Sequence, residues 1–197
     1  MTQPVKLNLK IYQGSTFIQT LRWESSTKVY VPITSIQKSA PVVITAASHQ
    51  VPVGWRARVT NVQGMKEINC SEDEYYLVTN TTQDTVVINS INAVGYSAYT
   101  SGGILEYNQP VELLGYTARM DIRAKLEDTT PLISLTTVNN RIVLDDTYKT
   151  ITLQIAASDT ALLNFQQAVY NLEMVNNAGI VTPLATGNVL LVKEVTR

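Results

Sequence analysis

Lys6-Leu7-Asn8-Leu9-Lys10-Ile11-Tyr12 alternates without a break. Leu7, Leu9 and Ile11 fall on one side of an extended chain, and Lys6, Asn8 and Lys10 on the other. A period of two is the mark of a half-buried β-strand. Arg141 to Leu144, Thr150 to Ile155, Tyr170 to Val175 and Val189 to Lys193 show the same alternation or short apolar runs. Thr, Val, Ile and Tyr are abundant, as pleated surfaces prefer. Turn signals separate the runs at Gln13-Gly14, Asn139-Asn140, Asp145-Asp146, Asn176 to Gly179 and Thr186-Gly187-Asn188. Short strands so spaced predict an all-β sandwich or barrel.

One short helix is expected. Ser158 or Asp159 is placed to cap it, Ala161, Leu162 and Phe165 recur at helical spacing, and it should end near Gln167. Tyr170 then opens the next strand. A tyrosine there resembles the tyrosine corner of immunoglobulin-like sandwiches, and a core tyrosine is the alternative. The pattern changes between residues 36 and 107, where charges cluster at Glu72-Asp73-Glu74 and aromatics gather around Gly95 to Gly103. Strand-like alternation resumes at Gln109 to Met120. The expected fold is therefore an immunoglobulin-like β-sandwich with one short helix, residues 1–35 and 108–197, interrupted by a small β-barrel-like module, residues 36–107. Insertion at a loop is tolerated because loop-closure entropy grows slowly with length.

Composition narrows the function. The 197 residues are 45% hydrophobic and 16% charged, enough for a core without disulfides or metals. The net charge is −1, with scattered basic residues, which argues against nucleic-acid binding, since that draws on a basic face. No stretch approaches the ~20 apolar residues of a membrane span, and Met1 to Lys10 lacks a signal-peptide core. The single cysteine, Cys70, cannot form an internal disulfide, which points to folding in a reducing cytoplasm. Met1 to Val5 is short and polar, with Pro4 limiting strand pairing, and is expected to order on assembly.

Catalytic chemistry finds little to stand on. There is one histidine, so His49 would have to be the base of any nucleophilic pair, with Cys70 as its only cysteine partner. His49 is read instead as a loop residue bonding backbone. No Gly-x-Ser-x-Gly elbow occurs. One His and one Cys do not supply a zinc site, and neither Glu72-Asp73-Glu74 nor Asp145-Asp146 has calcium-loop spacing. Gly102-Gly103 lacks the following Lys-Ser/Thr of a phosphate loop and reads as a hairpin turn. No catalytic, metal or cofactor residue is assigned, and the chain is expected not to be an enzyme. The aromatic residues Trp55, Tyr75, Tyr76, Tyr96 and Tyr99 suit a core or an interface better than a sugar site. Trp55 beside Arg56 and Arg58 fits a protein contact, because Trp and Arg are favoured at hot spots. Trp55, Arg56, Arg58, Tyr96 and Tyr99 are the candidate interface residues.

Two sets of segments resemble known families. Leu9 to Phe17, Leu113 to Arg123, Thr160-Ala161, Val169 to Glu173 and Gly187 to Arg197 resemble the N-terminal domain of baseplate upper proteins of bacteriophages. Pro41 to Ala46, Ser48-His49, Val53-Gly54, Val62 to Met65, Ile68-Asn69, Tyr76 to Val78 and Gly95 to Gly103 are similar to a β-module of phage tail and fibre proteins. That module is itself similar to the first catalytic-cysteine half-domain of ubiquitin-activating enzymes, without ubiquitin chemistry. Gln50 stands where a glycine commonly flanks the histidine. The resemblance implies a virion protein assembled in the host cytoplasm: a tail or baseplate adaptor that docks on a symmetric ring and positions fibres. Its partners would be a tail or neck ring, a fibre and copies of itself, with avidity from repeated contacts. A neck, collar or head-decoration protein is the second reading, and a carbohydrate-binding host-recognition module the third.

Overall fold

The computed structural model describes residues 3–194. Met1 and Thr2 of the N-terminal segment, and Val195 to Arg197 of the C-terminal one, lie outside the described residues. The chain begins with β1 (Val5–Lys6), β2 (Leu9–Tyr12) and β3 (Phe17–Leu21). It continues through β4 (Glu24–Pro32), β5 (Ser35–Gln37), β6 (Val42–Thr45), β7 (Arg56–Gln63), β8 (Tyr76–Leu77), β9 (Asn80–Thr81), β10 (Thr85–Ile88) and β11 (Ser101–Pro110). Then come β12 (Thr117–Arg123), β13 (Ile133–Thr136), β14 (Ile142–Asp145), β15 (Thr150–Ile155), α1 (Ala157–Leu162), β16 (Gln167–Val175) and β17 (Val181–Val192). The fold is all-β, of sandwich type, with one short α-helix among the described residues.

The chain forms two compact units, one from residues up to Trp23 and from Glu112 onward, the other Glu24–Val111. The middle unit is wider than residues 36–107 at both ends. The reason is the ladder between β4 and β11, which runs from Pro32↔Ile104 to Glu24↔Pro110 and carries both flanks into the same sheet.

In the outer unit the larger sheet has the order β1-β17-β16-β12-β13, with β2 also on β17, and the smaller one is β14-β15-β3. Alternation supplies the shared core. Ala118, Met120 and Ile122 of β12 point inward, as do Leu172 and Met174 of β16 and Ile151 and Leu153 of β15. Each of the Ile, Leu and Met side chains contributes about 1.5–3 kcal/mol when fully buried. Both N-terminal strands run parallel to β17, at Val5↔Ala185 and Val189↔Leu9. Thr186-Gly187-Asn188 is therefore no turn but the middle of β17. A Cβ on Gly187 would stand 2.1 Å from the Leu7 carbonyl oxygen, so glycine there admits the close approach of the segment that joins β1 to β2 alongside β17. This join is tied by Leu7 N–H to the Thr186 carbonyl (2.8 Å) and by Asn188 N–H to Asn8 Oδ1 (3.0 Å). Tyr170, the fourth residue of β16, is buried and donates its hydroxyl to the Leu7 carbonyl at 2.7 Å. It ties two strands far apart in sequence, unlike a tyrosine corner, whose bond is local.

The helix is shorter than expected and is capped differently. Ala156 is the N-cap, with no side-chain bond. Ser158 and Asp159 fall inside the first turn, where Asp159 pairs with Arg141 at 2.8 Å. Thr160 is fully buried and donates its hydroxyl to the Ser15 carbonyl at 2.8 Å. Leu163 returns to extended backbone and is itself buried, which stops the helix before Phe165.

The middle unit is two open four-stranded sheets, β5-β6-β10-β9 and β4-β11-β7-β8, rather than a barrel. Ile44, Val59, Met65, Ile68, Ile88 and Leu105 fill the space between them around Trp55. Gly102 and Gly103 open β11 instead of forming a hairpin turn. Both have positive φ (71° and 100°), and a Cβ on Gly103 would press within 2.8 Å of Val62 and 3.2 Å of Ile33.

Candidate interaction surfaces

In β7, Arg56-Ala57-Arg58-Val59, alternation sends Ala57 and Val59 into the core and turns both arginines outward. Register aligns Arg58 with Glu106 of β11, and Glu106 with Tyr30 of β4. The outer face of this sheet thus carries a row of aromatic, acidic and basic groups. Lys28 Nζ lies 2.5 Å from Glu106 Oε1, and the hydrogen bond to that carboxylate raises the lysine pKa, helped by its charge. Arg56 grips Glu24 with Nε at 2.7 and 3.0 Å and a terminal nitrogen at 2.7 Å, a bidentate pair that holds the guanidinium charged. The two guanidinium carbons lie 4.7 Å (Arg56) and 5.8 Å (Arg58) from the centre of the Tyr75 ring, within cation–π range. Arg58 also donates to the Ser71 carbonyl (3.0 Å), while its Nε is buried with no hydrogen-bond partner. Tyr30 is 58% exposed and Leu77, opposite Arg56, is 56% exposed.

The five candidate residues divide. Arg56 and Arg58 share this face. Trp55 does not: it is completely buried, its indole N–H donating to the Asn108 carbonyl at 2.8 Å. It is a core residue in this structure, because the strand period that turns Arg56 outward turns its neighbour in. Tyr96 is half-buried against the same core. The Tyr99 hydroxyl reaches the carbonyls of Ile33 (3.1 Å) and Gly102 (2.9 Å), pinning its own loop. Neither is placed on the arginine face by any bond or ring contact. Tyr30, Lys28, Glu106 and Glu24 belong to that face and were not singled out from sequence. The alternation Lys28-Val29-Tyr30-Val31 was available as a signal, but nothing local shows which strand it joins.

The outer unit carries a second surface, a concavity of about 790 Å³ on the solvent side of its six-stranded sheet. One row crosses five strands in register: Lys6, Thr186, Asn171, Asp121 and Ser134. Asp121 accepts from Ser134 Oγ (2.6 Å) and from Arg123 (2.7 Å). Burial works to raise its pKa, but these two bonds and the arginine charge outweigh it and hold the carboxyl below its usual range. Arg119 pairs with Glu173 at 2.7 Å beside the row.

The other residues considered for chemistry have backbone partners. His49 is buried, its Nδ1 accepting from Val51 N–H (3.0 Å) and its Nε2 facing the Thr85 carbonyl (3.1 Å), so the ring proton sits on Nε2. Its own carbonyl accepts from the Tyr107 hydroxyl. Cys70 Sγ accepts from Val59 N–H at 3.3 Å, and desolvation pushes the thiol pKa up. Glu74 closes the turn at Ser71 (2.9 Å), and Asp145 caps Thr147 (2.9 Å) and Tyr148 (3.0 Å). Among the described residues no group of three or more His, Cys, Asp and Glu side chains converges as a metal site. No helix there is long and apolar enough to cross a membrane. No family model and no curated protein matches the sequence.

Proposed function

We propose that the protein is a structural adaptor of a bacteriophage particle, at the tail or baseplate, and that its middle unit docks on another particle protein. The observation that carries the docking role is the face on which Arg56 and Arg58 flank Tyr75 and Tyr30 stands exposed. Arg and Tyr are the residue types that dominate protein hot spots. Both arginines are already ordered by Glu24 and Ser71, so little side-chain entropy remains to be lost on docking. The location rests on the resemblance of the two sets of segments to tail and baseplate proteins. An arrangement with two separately packed cores suits an adaptor, since one unit can hold a ring while the other presents a contact. A neck, collar or head-decoration position is the second reading.

Immunogold labelling of purified particles tests this. Label at the tail end supports the proposal, label at the neck or head supports the second reading, and unlabelled particles refute both. The double variant Arg58→Ala, Tyr75→Ala is expected to fold and to lose incorporation. Full incorporation of that variant would move the docking role elsewhere.

A further inference from the structure

The concavity of the outer unit has features that a merely solvated sheet face does not require. Its polar groups are aligned in register on five strands, about 4.8 Å apart from strand to strand. Several are locked. Thr186 Oγ1 lies 2.7 Å from Asn171 Oδ1 and 3.1 Å from the Tyr170 carbonyl; its single proton serves the shorter bond, which orients the amide with its NH₂ away from Thr186. Asp121 has one oxygen taken by Ser134 and the other by Arg123, so its charge is neutralised within the face. Lys6 has no ion-pair partner among the described residues, and the Arg119 side chain is 59% exposed although Glu173 holds its Nε. Counting Lys6, Arg119 and Arg123 against Asp121 and Glu173, the lining is +1. What remains on offer is mostly donors, on a rigid support.

The volume of about 790 Å³ is that of a small-ligand site. The lining lacks the desolvated aromatic anchor of a protein hot spot: Tyr170 is buried with its hydroxyl on Leu7, and Leu126 stands 73% exposed. A ligand rich in hydroxyls and carrying negative charge meets both the amide and hydroxyl row and the excess of cationic donors. We propose that this face binds an acidic saccharide, with Asn171, Thr186 and Asn188 exchanging hydrogen bonds with its hydroxyls and Lys6 and Arg119 facing its acidic groups.

This site lies in the outer unit and is independent of the arginine face, so the two ideas fail separately. The full chain is probed on an array of neutral, carboxylated, sulfated and phosphorylated saccharides, with titration of the best member. Acidic members are expected to bind in preference to neutral ones. Loss of one charge-assisted or locked hydrogen bond in Arg119→Ala or Asn171→Ala should weaken binding about tenfold. Arg58→Ala should bind unchanged. Lack of binding to every member, equal binding to neutral members, or unaltered binding by both outer-unit variants with unchanged melting temperature would each overturn the proposal.

Discussion

Replacing Trp55 by alanine separates a core residue from an interface anchor. The indole is fully buried between the two sheets of the middle unit, and its N–H satisfies the Asn108 carbonyl. Truncating a buried Trp costs about 3–5 kcal/mol through lost transfer energy and the cavity left behind. The freed carbonyl adds about 1 kcal/mol. A loss of about 5 kcal/mol matches the lower end of the 5–15 kcal/mol that a whole domain holds, so the middle unit should be largely unfolded or close to it. Hydrogen exchange read by mass spectrometry checks this locally. Peptides covering β7 and β11 should lose protection by orders of magnitude, whereas β12 and β16, which pack in the other core, should keep theirs. Trp55→Phe restores most of the volume but not the donor, and should recover more than half of the loss. A Trp55→Ala protein with β7 protection near wild type would refute the core assignment, the more so if particle incorporation fell.

The outer unit offers perturbations at two residues, Tyr170 and Gly187. Tyr170→Phe leaves the Leu7 carbonyl without its hydroxyl donor and should cost about 1–2 kcal/mol in a denaturant titration. The wild-type phenol has its pKa pushed up to about 12 by burial. Its proton is held more tightly in the folded state, so its contribution is complete below pH 10 and is lost as pH rises from about 10 through 12. An alkaline melt series should show a smaller loss in Tyr170→Phe than in the wild type, because Tyr76 and Tyr107, whose hydroxyls burial also keeps protonated, lose their contribution in both. Gly187→Ala drives a Cβ onto the Leu7 carbonyl, a backbone atom that cannot swing away, and should cost about 1–3 kcal/mol. Early proteolytic release of β1 and β2 is the readout, and a variant as resistant as wild type would show that Leu7 does not approach Gly187 so closely.

The period of two was enough to place faces. Lys6, Asn8 and Lys10 are exposed, Leu9 and Ile11 buried, and β15 spans the residues expected of it. Side-chain direction in a strand is set by the strand's own pleat, so it can be read without knowing a partner. Partners are another matter. The pairing of β2 with β17 joins residues some 180 positions apart, and the ladder of β4 with β11 that sets the edges of the middle unit depends on register across more than 70. Nothing in either strand alone encodes that choice.

The same limit explains the individual residues. Gly187 and Gly102-Gly103 read as turns from sequence, yet both lie inside strands: a glycine marks a close approach as readily as a turn, and only the neighbouring strand decides between them. Trp55 belongs to a residue type enriched both in cores and at hot spots. Its phase relative to Arg56 and Arg58 had meaning only once β7 was known to start at Arg56 and to have a sheet behind it. Sequence by itself determined that this is a β-protein of alternating strands with one short helix, because those patterns are local. The tertiary structure decided which strands meet, and therefore which polar residues stand side by side in the arginine row and around the concavity.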